Sequence, residues 1–111
     1  RPPWEGVNNR KSYSAVVATG AAQGNANALA EGFNVVASAN GALGVILPVA
    51  SAGMEVIVKN NAAAVLLVYP NTAAAINAVA ANTNFNMPSL TSCIFYASSS
   101  TQWFTVPLVA S

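Results

Sequence analysis

Histidine and aspartate are absent from this chain, and charge of either sign is scarce. Four Lys and Arg and three Glu make up 6% of the 111 residues, where a soluble domain carries about 25% charged residues. They are Arg1, Glu5, Arg10, Lys11, Glu31, Glu55 and Lys59. Without His or Asp, neither a Ser-His-Asp nor a Cys-His arrangement can be assembled within one chain. The spacing of the three glutamates does not suggest the carboxylate pair of a glycosidase, which stands about 5–10 Å apart, and they read as solvated surface acids. Zinc sites need clusters of Cys and His, and calcium sites need several carboxylates; neither set is present. A net charge of +1 lacks the clustered cations that supply affinity for nucleic acid. No catalytic residue, cofactor or metal ligand is expected, and the protein is not expected to be an enzyme.

The single cysteine, Cys93, excludes an intrachain disulfide. It lies in the strand-like run Ser92-Cys93-Ile94-Phe95-Tyr96, which reads as a small buried hydrophobe. A reactive thiol would want a cationic or imidazole neighbour. Long apolar runs are missing too: the longest, Ala62 to Tyr69, falls far short of the roughly 20 residues of a spanning helix, so no membrane partner is expected. The segment Arg1-Pro2-Pro3-Trp4-Glu5-Gly6 has no apolar core of a signal peptide. With no initiator Met ahead of Arg1, a trimmed start is expected. The glycines Gly20, Gly24, Gly32, Gly41, Gly44 and Gly53 fit neither phosphate-binding pattern and read as turns.

What the sequence does have is apolar: 54% of its residues, which excludes a disordered chain. The length suits one domain. Residues 1–12 hold Arg1, Trp4, Arg10 and Lys11 beside Pro2-Pro3, have no periodicity, and read as an extended arm whose backbone stays open to partners. From Tyr13 onward the patterning is β. Strands are expected at Tyr13–Thr19, Phe33–Ser38, Leu43–Leu47, Met54–Lys59, Ala64–Tyr69, Thr91–Tyr96 and Gln102–Val106, separated by turn signals. The alternation of Met54, Val56 and Val58 with Glu55, Ile57 and Lys59 marks one core face. Asn60-Asn61 then predicts a hairpin between that strand and the next. Thr72–Ala81 is rich in alanine and could be helical, but it lies between strand blocks and is read as β or irregular. The expected fold is all-β, a compact β-sandwich or barrel-like domain of short antiparallel strands spanning residues 13–111.

Thirteen asparagines stand where charges would normally cover a surface. Asn40, Asn60, Asn61 and Asn71 suit turns, while Asn82, Asn84 and Asn86 alternate and could form a ladder at an edge. Sugar binding through asparagines with Trp103 and Tyr69 is weighed against the core-like placement of those rings.

From Gly41 onward the order of features carries a resemblance. It runs through Gly44-Val45-Ile46-Leu47-Pro48, Ala52-Gly53-Met54-Glu55-Val56-Ile57-Val58-Lys59-Asn60, Val65-Leu66-Leu67-Val68-Tyr69-Pro70 and Ala75-Ile76-Asn77, and closes with Cys93-Ile94-Phe95-Tyr96 and Gln102-Trp103. This resembles a small β module of tailed-bacteriophage virion proteins, found in capsid decoration (cement) proteins and in fibres, over about residues 26–106. The pattern departs at Ala74-Ala75, where a glycine is usual. The resemblance implies a structural protein of the outer capsid surface, a homotrimer that binds the major capsid protein and stabilises the assembled shell. The alternatives are a fibre or tail-tip domain that binds a host glycan, and a secreted adhesin domain. The trimer interface is expected to be lined by Ala, Val and Asn, because charges are too few to build ion pairs. The arm residues Arg1, Trp4, Arg10 and Lys11 are the expected capsid anchor, since Trp and Arg dominate binding hot spots.

Overall fold

A computed structural model describes residues 12–106. Ten strands follow one another: β1 (Ser12–Val17), β2 (Asn27–Ala28), β3 (Gly32–Ser38), β4 (Gly44–Ile46), β5 (Glu55–Asn60), β6 (Leu66–Tyr69), β7 (Ala75–Ile76), β8 (Phe85–Met87), β9 (Ser92–Ser99) and β10 (Gln102–Val106). They form a six-stranded sheet in the order β1-β3-β5-β9-β10-β7 and a four-stranded sheet in the order β2-β4-β6-β8. The all-β expectation therefore holds.

Strand direction differs from expectation. The chain steps from one sheet to the other at every connection up to β9, so from β1 to β6 neighbours within a sheet are two strands apart in sequence. Such neighbours run the same way: β1–β3, β3–β5, β2–β4 and β4–β6 are parallel, as is the edge pair β7–β10. The result is a short coil. It is closed at one end by β8 and β9, which pair antiparallel to β6 and β5, and by the β9–β10 hairpin.

The hairpin expected across Asn60-Asn61 is absent, because β5 and β6 belong to different sheets. The turn that joins them is built around the buried side chain of Asn60. Its Nδ2 donates to the carbonyls of Ala64, Met87 and Pro88, and its Oδ1 accepts from the backbone N–H of Ala62. A two-residue hairpin leaves strands about 4.8 Å apart, whereas packed sheets stand about 10 Å apart. Residues 61–65 supply the extra length for that larger step. At Asn40-Gly41 the same happens on a smaller scale. Asn40 Oδ1 accepts from the N–H of Ala42, and Gly41 takes φ +86°, yet the turn leads from β3 into the other sheet.

The alanine-rich stretch forms β7 and turns rather than a helix. Ala73 (φ +72°) and Asn77 (φ +54°) sit in the left-handed region, where a right-handed helix cannot continue. Tertiary contacts hold them there. Asn82 Oδ1 accepts from Ala73 N–H, and Asn77 exchanges hydrogen bonds with Thr105 on β10. Ala73 adopts a backbone that glycine would take without strain.

The core lies between the sheets. Val36, Val56, Val58, Phe95, Ile76 and Trp103 face inward from the large sheet, and Val45, Leu66 and Val68 from the small one, all without solvent exposure. Phe85 and Phe95 meet edge-to-face across the two layers at 5.7 Å. Buried polar groups are satisfied: Asn34, 1% exposed, donates to the carbonyls of Ala30, Gly32 and Ile57. The backbone of Gly44 passes so near β6 that a Cβ there would come within 2.9 Å of the Leu67 carbonyl.

Candidate interaction surface

Chemistry-bearing groups of the described residues are not gathered at any one place. Among the described residues no three His, Cys, Asp or Glu come together as a metal site, and no helix is long and apolar enough to cross a membrane. Trp103 and Tyr69 are both buried: the indole N–H donates to Asn71 Oδ1 at 2.9 Å, and the phenol donates to the Ala21 carbonyl. Neither ring is placed to stack on a sugar. The asparagines act mainly as local fasteners. Asn82 adopts φ +65° and accepts from both Ala73 N–H and Gln23 Nε2. Asn84 and Asn86 hydrogen-bond to each other along β8. Arg1, Trp4, Arg10 and Lys11 lie outside the described residues; Ser12, assigned to the arm by sequence, is the first residue of β1 and pairs with Phe33.

Cys93 faces the core and is 5% exposed. Burial pushes its thiol from 9.0 up to about 11, with a backbone hydrogen bond at Val106 opposing the rise. At pH 8 the native protein should therefore react with iodoacetamide about 100-fold more slowly than the unfolded chain, since the thiolate is the nucleophile. Because the folded thiol has the higher pKa, its contribution to stability is complete below about pH 9. It is lost as pH rises through about 11. Denaturant midpoints measured from pH 8 to 11 should fall more steeply for the wild type than for Cys93→Ala; equal slopes would contradict this.

The outward face of the six-stranded sheet is the unusual surface. Strand register sets Phe33 beside Ile57, Ile57 beside Ile94, and Ile94 beside Val106, one row across β3, β5, β9 and β10. A second row places Glu55, Tyr96 and Phe104 side by side, and a third places Val35, Lys59 and Ser92. A shallow depression of about 420 Å³ opens here, lined by Phe33, Ile57, Ile94 and Val106 together with Ser92 and Cys93. Tyr96, Phe104 and Val106 remain 39%, 49% and 47% exposed.

An outer sheet face bathed in water normally carries polar residues in alternation with the core. On β9 and β10 both faces are apolar: Cys93, Phe95 and Trp103 inward, Ile94, Tyr96, Phe104 and Val106 outward. Contiguous apolar surface of this kind marks a place of association. An aromatic side chain offers about 150–250 Å², so Tyr96 and Phe104 each retain roughly 60–120 Å², worth about 1.5–3 kcal/mol on complete burial. Association itself costs about 4–15 kcal/mol, so the rows must be covered together for a stable contact.

Sequence reasoning did not single out these side chains. The signal was available in the nearly unbroken apolar run Cys93 to Tyr96 and in Trp103-Phe104, since strands apolar on both faces are covered on both faces. A second depression, of about 380 Å³, lies between β1 and β2 and is lined in part by Tyr13, Val16, Val17, Asn27 and Ala28. There Ala15 (φ +58°) and two register breaks interrupt the edge of β1, a device that blunts an edge against further pairing. Comparison with known proteins finds no match for the chain among protein families, curated proteins or solved structures.

Proposed function

We propose that this protein is a structural subunit of a bacteriophage virion, a homotrimeric decoration protein that binds the outer surface of the assembled capsid and stabilises it. The observation that carries this reading is the apolar outer face of the large sheet in a chain with 6% charged residues. Interface cores are depleted of charge and enriched in aromatic residues, and a protein that works by covering surface needs both. The resemblance of residues 26–106 to the phage module supplies the class of assembly. A decoration subunit that binds only the assembled shell stabilises it by mass action, with no turnover and no catalytic residue.

The arm residues Arg1, Trp4, Arg10 and Lys11 are the proposed shell anchor. Removing residues 1–11 leaves β1 complete, as it begins at Ser12, so the β domain should fold with an unchanged circular dichroism spectrum. Shell binding should fall at least tenfold, about 1.4 kcal/mol. Undiminished binding by the truncated chain would place the anchor on the β domain. Quantitative mass spectrometry of purified particles separates the readings. Copy numbers near that of the major capsid protein mean decoration, and a few copies per particle mean the fibre or tail-tip alternative.

A further inference from the structure

We infer that the outward face of the six-stranded sheet is the surface on which a second copy of this chain docks, with the Lys59 end of one face seated against the Glu55 end of the next. This rests on the self-association in the reading above and assigns the surface that performs it. The face is apolar through its middle, along the row Phe33, Ile57, Ile94 and Val106. Two of its charges stand on β5, four residues apart on the same side of the strand, with Ile57 between them. Lys59 Nζ donates to the Leu90 carbonyl at 2.8 Å, and Glu55 has interactions within its own chain. Both side chains are half-buried and held at the margins of the apolar row.

That order of charge selects the occupant. A partner surface that matches it must be apolar in the centre, negative at one margin and positive at the other, about 13 Å away at the rise of a β-strand. A second copy presents this pattern when its own strands meet the first head to tail. Copies apposed with like ends together would set Glu55 beside Glu55 and Lys59 beside Lys59, which is unfavourable in a contact that excludes water. A face that supplies its own complement needs no second species.

Two copies face to face meet this order, and so do three in a ring with strands running round the axis and the apolar row along it. The homotrimer of the reading above is the ring. Each seam then joins Lys59 of one copy to Glu55 of its neighbour. The apolar part of this contact is built of Phe, Ile, Tyr and Val, in place of the Ala, Val and Asn expected from composition.

Light scattering on the full chain at micromolar concentration, with circular dichroism as the check on folding, tests the inference. The wild type should be trimeric. Ile57→Lys should be monomeric, and so should Phe104→Lys, which alters a half-exposed side chain and spares the core. Glu55→Lys and Lys59→Glu should each raise the self-dissociation constant at least tenfold, and the double variant E55K/K59E should recover most of the loss. A trimeric wild type whose Ile57→Lys and Phe104→Lys variants stay trimeric would overturn the assignment of the face and leave the trimer standing. If those trimeric variants also lost binding to shells, the face would belong to the capsid. A folded monomeric wild type would overturn self-association itself, with the face covered from within the chain. A wild-type dimer dispersed by Ile57→Lys would support the face and overturn the count of three. Single charge variants indistinguishable from wild type would overturn the head-to-tail seam.

Discussion

Trp103→Ala should lower the unfolding free energy by about 3–5 kcal/mol, the largest loss expected from any single side chain in the core. Trp103 has no solvent exposure. It sits on β10 between Ala97 of β9 and Ile76 of β7, and its removal would empty the edge of the large sheet just where β7 is held by only two residues. The indole also satisfies a buried acceptor, donating to Asn71 Oδ1 at 2.9 Å. Trp103→Phe separates the two contributions. Most of the packing is kept, while the Asn71 carbonyl loses its donor at a cost of about 1–3 kcal/mol. Natural domains hold about 5–15 kcal/mol in all, so the alanine variant should sit near the edge of folding. Guanidinium unfolding followed by far-UV circular dichroism measures both variants. A loss below about 1 kcal/mol for Trp103→Ala would show that the site collapses around the gap.

The second large effect belongs to Asn60. Its side chain is fully buried and joins three segments: the arch after β5 through Ala62 and Ala64, the end of β8 through Met87, and the turn after it through Pro88. Asn60→Leu keeps the volume and strips these groups of their partner, at about 1–3 kcal/mol for each one left buried and unpaired. Relaxation of the loop should hold the total to about 3 kcal/mol. Asn60→Asp should be worse near neutral pH, because it puts a carboxylate against three carbonyl oxygens in a buried site. Its carboxyl pKa should rise there, so stability present when the group is protonated is lost as pH increases. Thermal midpoints at pH 4 and pH 7 should therefore separate Asn60→Asp from Asn60→Leu, with the former gaining on acidification relative to the latter. Equal pH responses would mean that water reaches the site.

These two residues show how unevenly the fold was legible. Trp103 could be placed in a strand from its apolar neighbours alone, and its burial follows from the alternation of Gln102, Phe104 and Val106 with Trp103 and Thr105. Asn60 was read as one of a pair of turn-forming asparagines, and it does form a turn. The hydrogen bonds it makes to Met87 and Pro88, 27 and 28 residues away, leave no mark on the local pattern. The interaction surface was hidden for a similar reason. On β5 alone, Glu55, Ile57 and Lys59 read as a polar face with one isoleucine in it. Register against β3 and β9 places Phe33 and Ile94 on either side of that isoleucine and turns the face apolar.

The sequence by itself determined that the chain is all-β, where its longer strands run, and which face of β5 is the core face. Those properties depend on neighbours one to four residues away: alternation of side chains, β-branched content, and the turn chemistry of Gly, Pro and Asn. Only the tertiary structure decided which strands pair. A period of two specifies a face but not a partner, and a turn of several residues can lead equally to a neighbouring strand or across to the opposite sheet. Here the arches after β3 and β5 take the second course, held by Asn40 and by Asn60. Parallel pairing of β1, β3 and β5 follows, and with it the apolar row on the outer face of the large sheet.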